Sequence, residues 1–197
     1  MTKIKKILLS AIAVLTFTAF SSVANAGCGK ITIANMNWAS AGLMAEVDKV
    51  ILEKGYGCNV ELIPGATMPS FTSMNEKGEP DILPEFWANA ALDALTKAVG
   101  EGRMHSINKA PILGLGEGWW IPPSTLKKHP ELTTAAAVLA RPDLFPHPED
   151  SSKGGFHICP PGWACELINK QMFNGWGMAA KGWKIVETGS AAGLDGS

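Results

Sequence analysis

Strand-like and helical runs alternate along this chain, and that alternation restricts its fold more than any other feature. Residues 30–34 and 59–63 are strand-like, and residues 40–55 between them carry apolar side chains at three- and four-residue steps. Ser40 is placed to cap this helix and Gly55 to end it. Short links between the three elements predict a right-handed βαβ unit with parallel strands. With 21 Gly and 13 Pro, the chain is not a helical bundle, and the alternation also excludes an all-β fold.

The alternation continues through the rest of the chain. Residues 100–118 contain glycines and no lasting period, so we place a crossing between two lobes there. The sequence predicts an α/β fold with a first lobe over residues 27–113, a hinge, and a partial second lobe over residues 114–197. Further strands are predicted over residues 81–83, 119–121, 156–159 and 183–187, and further helices over residues 70–75, 88–99, 124–129, 131–140 and 164–174, with the start of another at 189–197.

The first 26 residues have the features of a secretory signal peptide. Three lysines (Lys3, Lys5 and Lys6) give a positively charged N-terminal region before an apolar run over residues 7–20. Ala24-Asn25-Ala26 then supplies a small-x-small cleavage site. The apolar run is shorter than the ~20 residues that span a bilayer, which disfavours a membrane anchor. A lipid anchor on Cys28 is also disfavoured, because Asn25 stands where a lipobox has Leu. We therefore expect a soluble periplasmic protein that begins at Gly27.

Export would place the four cysteines in an oxidising compartment, where an even number favours disulfides. Three pairings are possible. Cys28 and Cys58 each precede a strand of the predicted βαβ unit, so parallel strands would bring them to one edge of the sheet. Cys159 and Cys165 are close in sequence, and we predict the pairs 28–58 and 159–165. Free thiols are the alternative, and a metal site that includes His157 is disfavoured by the ligand spacing.

The sequence contains seven Trp and one Tyr, an unusual proportion. Because exposing an indole ring to water costs free energy, these tryptophans are expected either in the core or in a binding site. Trp176 and Trp183 have small or apolar neighbours and are expected in the core. Trp38, Trp87 and Trp163 instead lie at strand-to-helix junctions. In an open parallel sheet, ligands bind outside the carboxyl ends of the strands, so these three rings would face one cleft. The alternative is that each ring covers the end of its own sheet.

A cleft with several indole rings suits a quaternary ammonium group. Such a cation has no N–H to donate, so it is held instead by a cage of aromatic faces, and each desolvated face contributes ~2 kcal/mol. The turn before residue 164 leads into a helix, which leaves the N–H groups of Ala164 and Cys165 unpaired in the first turn. Such a helix end binds carboxylates well. A cation cage and an anion site that adjoin at Trp163 predict a betaine-shaped ligand.

At these residues the sequence resembles a known family. Cys-Pro-Pro-Gly-Trp-Ala-Cys-Glu (159–166) is similar to a motif of the substrate-binding proteins of glycine betaine/proline betaine ABC importers, and Asp-Ile-Leu-Pro-Glu-Phe-Trp (81–87) adds to the resemblance. The resemblance implies a type II periplasmic-binding-protein fold with two α/β lobes. It also implies a non-enzymatic role, no cofactor, and a membrane permease as partner. Aromatic-box roles at Trp87 and Trp163 follow from it, as do carboxylate-binding N–H groups at Ala164 and Cys165.

Several positions of the sequence can be compared with the family pattern, and some of them differ from it. Some relatives place another box aromatic at the position of Trp119, but Trp119 and Trp120 would point to opposite faces of a strand, so only one of them can serve. Choline-binding relatives carry an acid at the position of Ser40, which favours betaines over choline here. Ala164 replaces a Gly of the motif and keeps its N–H. Family members are longer and carry a further aromatic beyond residue 197, so we expect a truncated product or a partial sequence.

Other classes of function fit less well. A formal net charge of −1 gives no electrostatic basis for nucleic-acid binding. A secreted carbohydrate-active enzyme would use Asp81 and Glu85 as its carboxylate pair and tryptophans as sugar platforms, but Pro84 interrupts the helical spacing that would align the two acids. A sugar-binding protein with tryptophan platforms is a related alternative. No Gly-x-Ser-x-Gly motif supports serine hydrolase chemistry, and His129 and His147 each precede Pro in predicted loops.

Overall fold

The first sheet is a parallel pair with a helix between its strands. The computed structural model describes residues 27–107 and 117–190. Strand β1 (Lys30–Met36) pairs in parallel with β2 (Asn59–Gly65), from Lys30 opposite Asn59 to Met36 opposite Gly65. Helix α1 (Ala39–Tyr56) connects them and buries Ala41 and Ala45. It ends at Gly57, whose φ of 69° is a left-handed conformation that glycine adopts without a steric penalty. The predicted βαβ unit is present, with its parallel strands.

A short segment extends this sheet on the other side of β1. Ile82 forms a parallel bridge with Ile33, where the predicted third strand was expected. The Asp81 carboxylate fixes the segment, since its Oδ2 accepts hydrogen bonds from the Thr32 N–H and the Thr32 hydroxyl, both at 2.7 Å. These two bonds are the main reason that the pKa of Asp81 lies below its ordinary value.

Two helices next to this segment share a hydrophobic core. Helix α2 (Thr67–Lys77) follows β2, and a 3₁₀ turn (Asn89–Ala91) leads into α3 (Leu92–Gly100). Their shared core contains Phe71, Ala91, Ala98 and Met104. Phe71 also stacks on Phe86 with ring centroids 5.1 Å apart. The chain that carries Trp87 is therefore anchored on the α2 and α3 layer by its neighbour Phe86.

The second sheet has three strands and mixed directions. Strand β3 (Pro146–His147) is antiparallel to β4 (Asp150–Ile158), which is parallel to β5 (Trp183–Glu187). Helix α6 (Ala164–Gly175) and a 3₁₀ turn (Ala179–Lys181) connect β4 to β5. Before the sheet lie α4 (Pro123–Lys128), α5 (Ala135–Leu139) and a 3₁₀ turn (Pro142–Leu144). The core of this half consists of Leu139, Phe156, Ile158, Met178 and Trp183.

Three local expectations for the second half were wrong. No strand forms over residues 119–121; Trp119 packs into the core there, and Pro122 is the N-cap of α4, which begins at Pro123. The helix expected over residues 131–140 is confined to Ala135–Leu139, because the Thr134 side chain caps it at the Ala137 N–H. Residues 141–155, over which a long loop without strands is expected from the sequence, include β3 and the first part of β4.

Both predicted disulfides are present. Cys28 and Cys58 are bonded with their Cα atoms 4.8 Å apart, at the end of the first sheet where β1 and β2 begin. Cys159 and Cys165 are bonded across the turn between β4 and α6, with Cα atoms 5.8 Å apart. Neither Cys159 nor Cys165 therefore has a thiolate for a metal ion.

Three sequence predictions lie partly or wholly outside the described residues. They are the signal peptide over residues 1–26, part of the crossing over residues 100–118, and the final helix at 189–197. Among the helices of residues 27–107 and 117–190, none is both long and apolar enough to cross a bilayer.

We predict that His157 makes the stability of the second sheet depend on pH. Its Nδ1 is buried without a hydrogen-bond partner among the described residues, and burial, with a smaller contribution from His147, lowers the pKa of His157. The unfolded chain then binds more protons than the folded chain, so the free energy of unfolding falls as pH drops through the ordinary histidine range toward the lowered folded value.

Urea unfolding at intervals from about pH 7.5 to about pH 5.5 checks this dependence. His157→Phe should flatten the decline, while the exposed control His105→Gln should keep it. Parallel curves for the wild type and His157→Phe would contradict the assignment.

Candidate ligand-binding site

In each half of the protein, a tryptophan lies between the end of a strand and the start of the next helix. Strand β1 ends at Met36, and Trp38 then stands at the N-terminal boundary of α1 with an extended backbone. Strand β4 ends at Ile158, and Trp163 stands at the same boundary of α6, also extended. Both rings therefore lie at the carboxyl end of a strand, which is where the sequence predicted them.

The turn that carries Trp163 is held against the first half of the molecule by its backbone. The Gly162 carbonyl accepts a hydrogen bond of 3.0 Å from the Met68 N–H at the start of α2. Gly162 has a φ of +86°, and a Cβ at this position would lie 3.1 Å from the Ala66 Cβ. Only glycine permits both the left-handed backbone and this close approach.

The turn brings Trp163 into contact with Trp38. Their ring centroids are 5.2 Å apart, and the planes meet at 68° in an edge-to-face arrangement. The Trp163 Nε1 donates a hydrogen bond of 2.7 Å to the Asn37 Oδ1, which fixes the orientation of the ring. We call Trp38 and Trp163 the tryptophan pair. Its two nearly perpendicular planes have the geometry of adjoining walls of an aromatic box.

The beginning of α6 lies directly beside this pair. The N–H groups of Ala164 and Cys165 have no hydrogen-bond partner among the described residues, and Trp163 provides no side-chain cap. The Cys159–Cys165 disulfide and a 3.3 Å hydrogen bond from the Cys159 N–H to the Asn169 Oδ1 hold the preceding turn on α6. Two free N–H groups at a fixed helix start can receive the carboxylate of a ligand.

Glu166 places a negative charge in the first turn of the same helix, but its two oxygens are occupied. Oε2 accepts the Gly162 N–H at 2.7 Å, and Oε1 accepts the Lys170 Nζ at 2.8 Å. Burial acts to raise the pKa of Glu166, yet the bonds from Lys170 and Gly162 together hold it below its ordinary value. Lys170 also reaches the Glu187 Oε1 at 3.1 Å on β5. The negative charge of Glu166 near the free N–H groups is therefore paired with the positive charge of Lys170.

The predicted site residue Trp87 is connected to Trp38 through Glu85 and Ser40. The Glu85 Oε1 accepts hydrogen bonds from the Ser40 hydroxyl at 3.0 Å and from the Trp87 Nε1 at 3.1 Å. Ser40 lies in the first turn of α1, two residues after Trp38. The Trp87 ring is 41% exposed. This hydrogen-bonded link brings the Trp87 segment to the same end of the first sheet as the tryptophan pair.

Trp119 lies in a different environment. It contacts Phe156 with centroids 4.9 Å apart and Trp176 with centroids 5.1 Å apart, both edge to face. These contacts belong to the core of the second half, and the structure does not bring Trp119 to the tryptophan pair. Trp120 is 74% exposed and Trp176 is 40% exposed, whereas Trp183 is buried as predicted.

Two cavities lie near these elements. One of about 420 Å³ lies between α2 and α6 and is lined by Trp163, Gly162 and Glu166 together with α2 residues. Another of about 890 Å³ is lined by Trp176 and α5 residues. Neither of these two cavities is lined by both members of the tryptophan pair, so a ligand between them would need the two halves to move relative to each other.

Sequence reasoning missed the polar residues that orient the tryptophans. Asn37 accepts from Trp163, and Glu85 accepts from Ser40 and Trp87. Their positions beside junction tryptophans were a usable indication, but no pattern tells which distant donor a side chain meets. The Asp81 carboxylate is bound to Thr32, so it is not free to act with Glu85 as a catalytic pair.

The chain belongs to a family of ligand-capturing transport proteins. Residues 29–197 match the family described as the substrate binding domain of ABC-type glycine betaine transport systems. Proteins of this family are extracytoplasmic, non-enzymatic components with a type II periplasmic-binding fold, and the α/β elements found here are compatible with that fold. A search of curated proteins finds no match to the chain. This match confirms the resemblance to betaine-type substrate-binding proteins that residues 159–166 and 81–87 indicated.

We predict that Gly162→Ala destabilises the protein by roughly 1–2 kcal/mol, because the added Cβ meets Ala66 and the left-handed backbone becomes strained. Thermal or urea unfolding measures the loss. Gly175→Ala, at the end of α6, is the matched control, since no atom lies within 4 Å of its added Cβ. Equal stability of Gly162→Ala and the wild type would show that the turn is not fixed as described.

Proposed function

We propose that this protein is a periplasmic solute-binding protein that captures glycine betaine, or a related quaternary ammonium zwitterion, for an ABC importer. The observation that carries the proposal is the position of the tryptophan pair beside the free N–H groups of Ala164 and Cys165. One part suits a permanent cation, and the other suits a carboxylate. Family membership supports a substrate-binding role of the betaine type.

Each half of the ligand would be held by the interaction that its chemistry allows. A trimethylammonium group has no proton to donate, and the faces of Trp38 and Trp163 attract it through their negative quadrupoles. Trp87 is proposed as a further aromatic wall. The carboxylate would accept from the two N–H groups at the start of α6, where the helix dipole adds a favourable field. A short ligand spans both parts because Trp163 directly precedes Ala164.

The two rings of the pair come from different sheets, which suggests how binding would lead to transport. Trp38 follows β1 of the first sheet, and Trp163 follows β4 of the second. A ligand between them would favour the arrangement in which the halves are closed and its charges are desolvated. We propose that this closed form docks on the membrane permease of the importer, and that the 26-residue N-terminal segment directs export of the protein.

Titration of the full chain with glycine betaine tests the proposal, with intrinsic tryptophan fluorescence as the readout. We expect a saturable change, because the cation would lie against indole faces. A soluble oligosaccharide is the comparison ligand. A saturable change with the oligosaccharide and none with glycine betaine would overturn the proposal in favour of a sugar-binding protein.

Single substitutions in the pair should weaken binding strongly. Trp38→Ala or Trp163→Ala removes a cation–π contact of roughly 2 kcal/mol, which corresponds to an increase in Kd of about 30-fold. Isothermal titration calorimetry with glycine betaine measures it. The exposed residue Trp120 gives the matched control, and Trp120→Ala should leave the Kd unchanged. Equal losses from all three variants would contradict a specific role of the pair.

A further inference from the structure

Glu166 stands in the helix turn that would receive the ligand carboxylate. The free N–H groups belong to Ala164 and Cys165, and Glu166 is the next residue of α6. Its Oε2 accepts the Gly162 N–H at 2.7 Å, so the carboxylate is turned back toward the beginning of the helix. The Glu166 side chain is only 13% exposed, and its charge is therefore screened weakly by solvent. A second anion on the adjacent N–H groups would be repelled by an unpaired Glu166.

Lys170 offsets this negative charge. It lies one helical turn after Glu166, and its Nζ is 2.8 Å from the Glu166 Oε1 and 3.1 Å from the Glu187 Oε1 on β5. The hydrogen bonds that it donates, to Glu166 and then to Glu187, raise the pKa of Lys170. The pKa of Glu166 lies below its ordinary value, so both members of the pair are charged at neutral pH. The first turn of α6 therefore contains an acid whose charge is compensated.

The position of this ion pair matters more for the site than for the stability of the fold. Glu166 and Lys170 form an i,i+4 pair, and the lysine side chain is 39% exposed, so the pair contributes little to folding. At the start of α6, however, the helix dipole favours an anion, and an uncompensated carboxylate in the first turn would cancel that advantage. The main consequence of Lys170 is therefore the electrostatic field at the free N–H groups.

We propose that Lys170 is a specificity-determining residue, which neutralises Glu166 and thereby sets the preference for zwitterionic over purely cationic quaternary ammonium ligands. This inference rests on the proposed function, in which the start of α6 receives a carboxylate. Lys170 acts through Glu166, so its effect depends on the charge of the ligand and not on its shape.

Glycine betaine and its amide, (trimethylammonio)acetamide, test the proposal because they have nearly the same shape and differ in the charge of the carboxylate end. The preference is the Kd of the amide divided by the Kd of glycine betaine, both measured by isothermal titration calorimetry of the full chain. Lys170→Met should lower this preference about fivefold, because the uncompensated Glu166 repels the carboxylate and not the neutral amide group. Lys170→Arg retains the positive charge and should retain the preference.

Substitution of the acid should have the opposite effect. Glu166→Gln keeps an oxygen that can accept the Gly162 N–H but removes the negative charge, so the preference should rise. The double variant Glu166→Gln/Lys170→Met removes both charges and should return the preference to within about twofold of the wild type. A purely structural role of the pair would weaken both ligands together, and an unchanged preference in the single variants would overturn the proposal.

Lys128→Met is the matched control, since it removes one exposed lysine charge from α4. It should keep the wild-type preference, and thermal unfolding verifies that each variant is folded. A fall equal to that of Lys170→Met would assign the preference to the net charge of the protein and would also overturn the role of Lys170.

Binding to the wild type separates this proposal from the one on which it rests. If glycine betaine binds the wild type and the preference is the same in Lys170→Met, only the role of Lys170 is overturned. If neither glycine betaine nor its amide binds the wild type, both proposals are overturned.

Discussion

The contact between Trp38 and Trp163 is the interaction on which the proposed site depends. It joins the end of a strand in the first sheet to the end of a strand in the second, with ring centroids 5.2 Å apart. The bond from Trp163 to Asn37 and the backbone bond from Met68 to Gly162 hold the same two segments together. An edge-to-face aromatic pair contributes only about 0.5–1.5 kcal/mol beyond its buried area. A bound cation with its own attraction to both rings is therefore comparable in strength to the contact it would replace.

The sequence predicted the elements whose pattern is local and repeated. Helix α1 and its two flanking strands followed from apolar spacing. The Cys28–Cys58 disulfide followed from the position of both cysteines before parallel strands, and the Cys159–Cys165 disulfide followed from their closeness in sequence. It did not predict strand β3 or the first part of β4, because Asp150, Ser151 and Ser152 have turn-like character and become strand only by pairing with distant residues. Trp119 has a strand-like neighbourhood, yet burial against Phe156 and Trp176 decided its conformation.

The sequence predicted which residues lie at the candidate site, but it did not predict their hydrogen-bond partners. The positions of Trp38 and Trp163 at strand ends and the free N–H groups at the start of α6 follow from general rules for α/β proteins. That Glu85 would meet Ser40, 45 residues away, requires the fold itself. The sequence alone indicated a site without an acid near Ser40, whereas the structure brings a carboxylate to that hydroxyl from another segment. This hydrogen bond is therefore a contact between distant segments that no local motif contains.

A crystal structure of the full chain grown with glycine betaine tests the central claim most directly. The account predicts the ligand nitrogen within about 6 Å of the ring centroids of both Trp38 and Trp163, and a carboxylate oxygen within hydrogen-bond distance of the Ala164 or Cys165 nitrogen. Glycine betaine bound instead in the cavity between α2 and α6, away from Trp38, would contradict it.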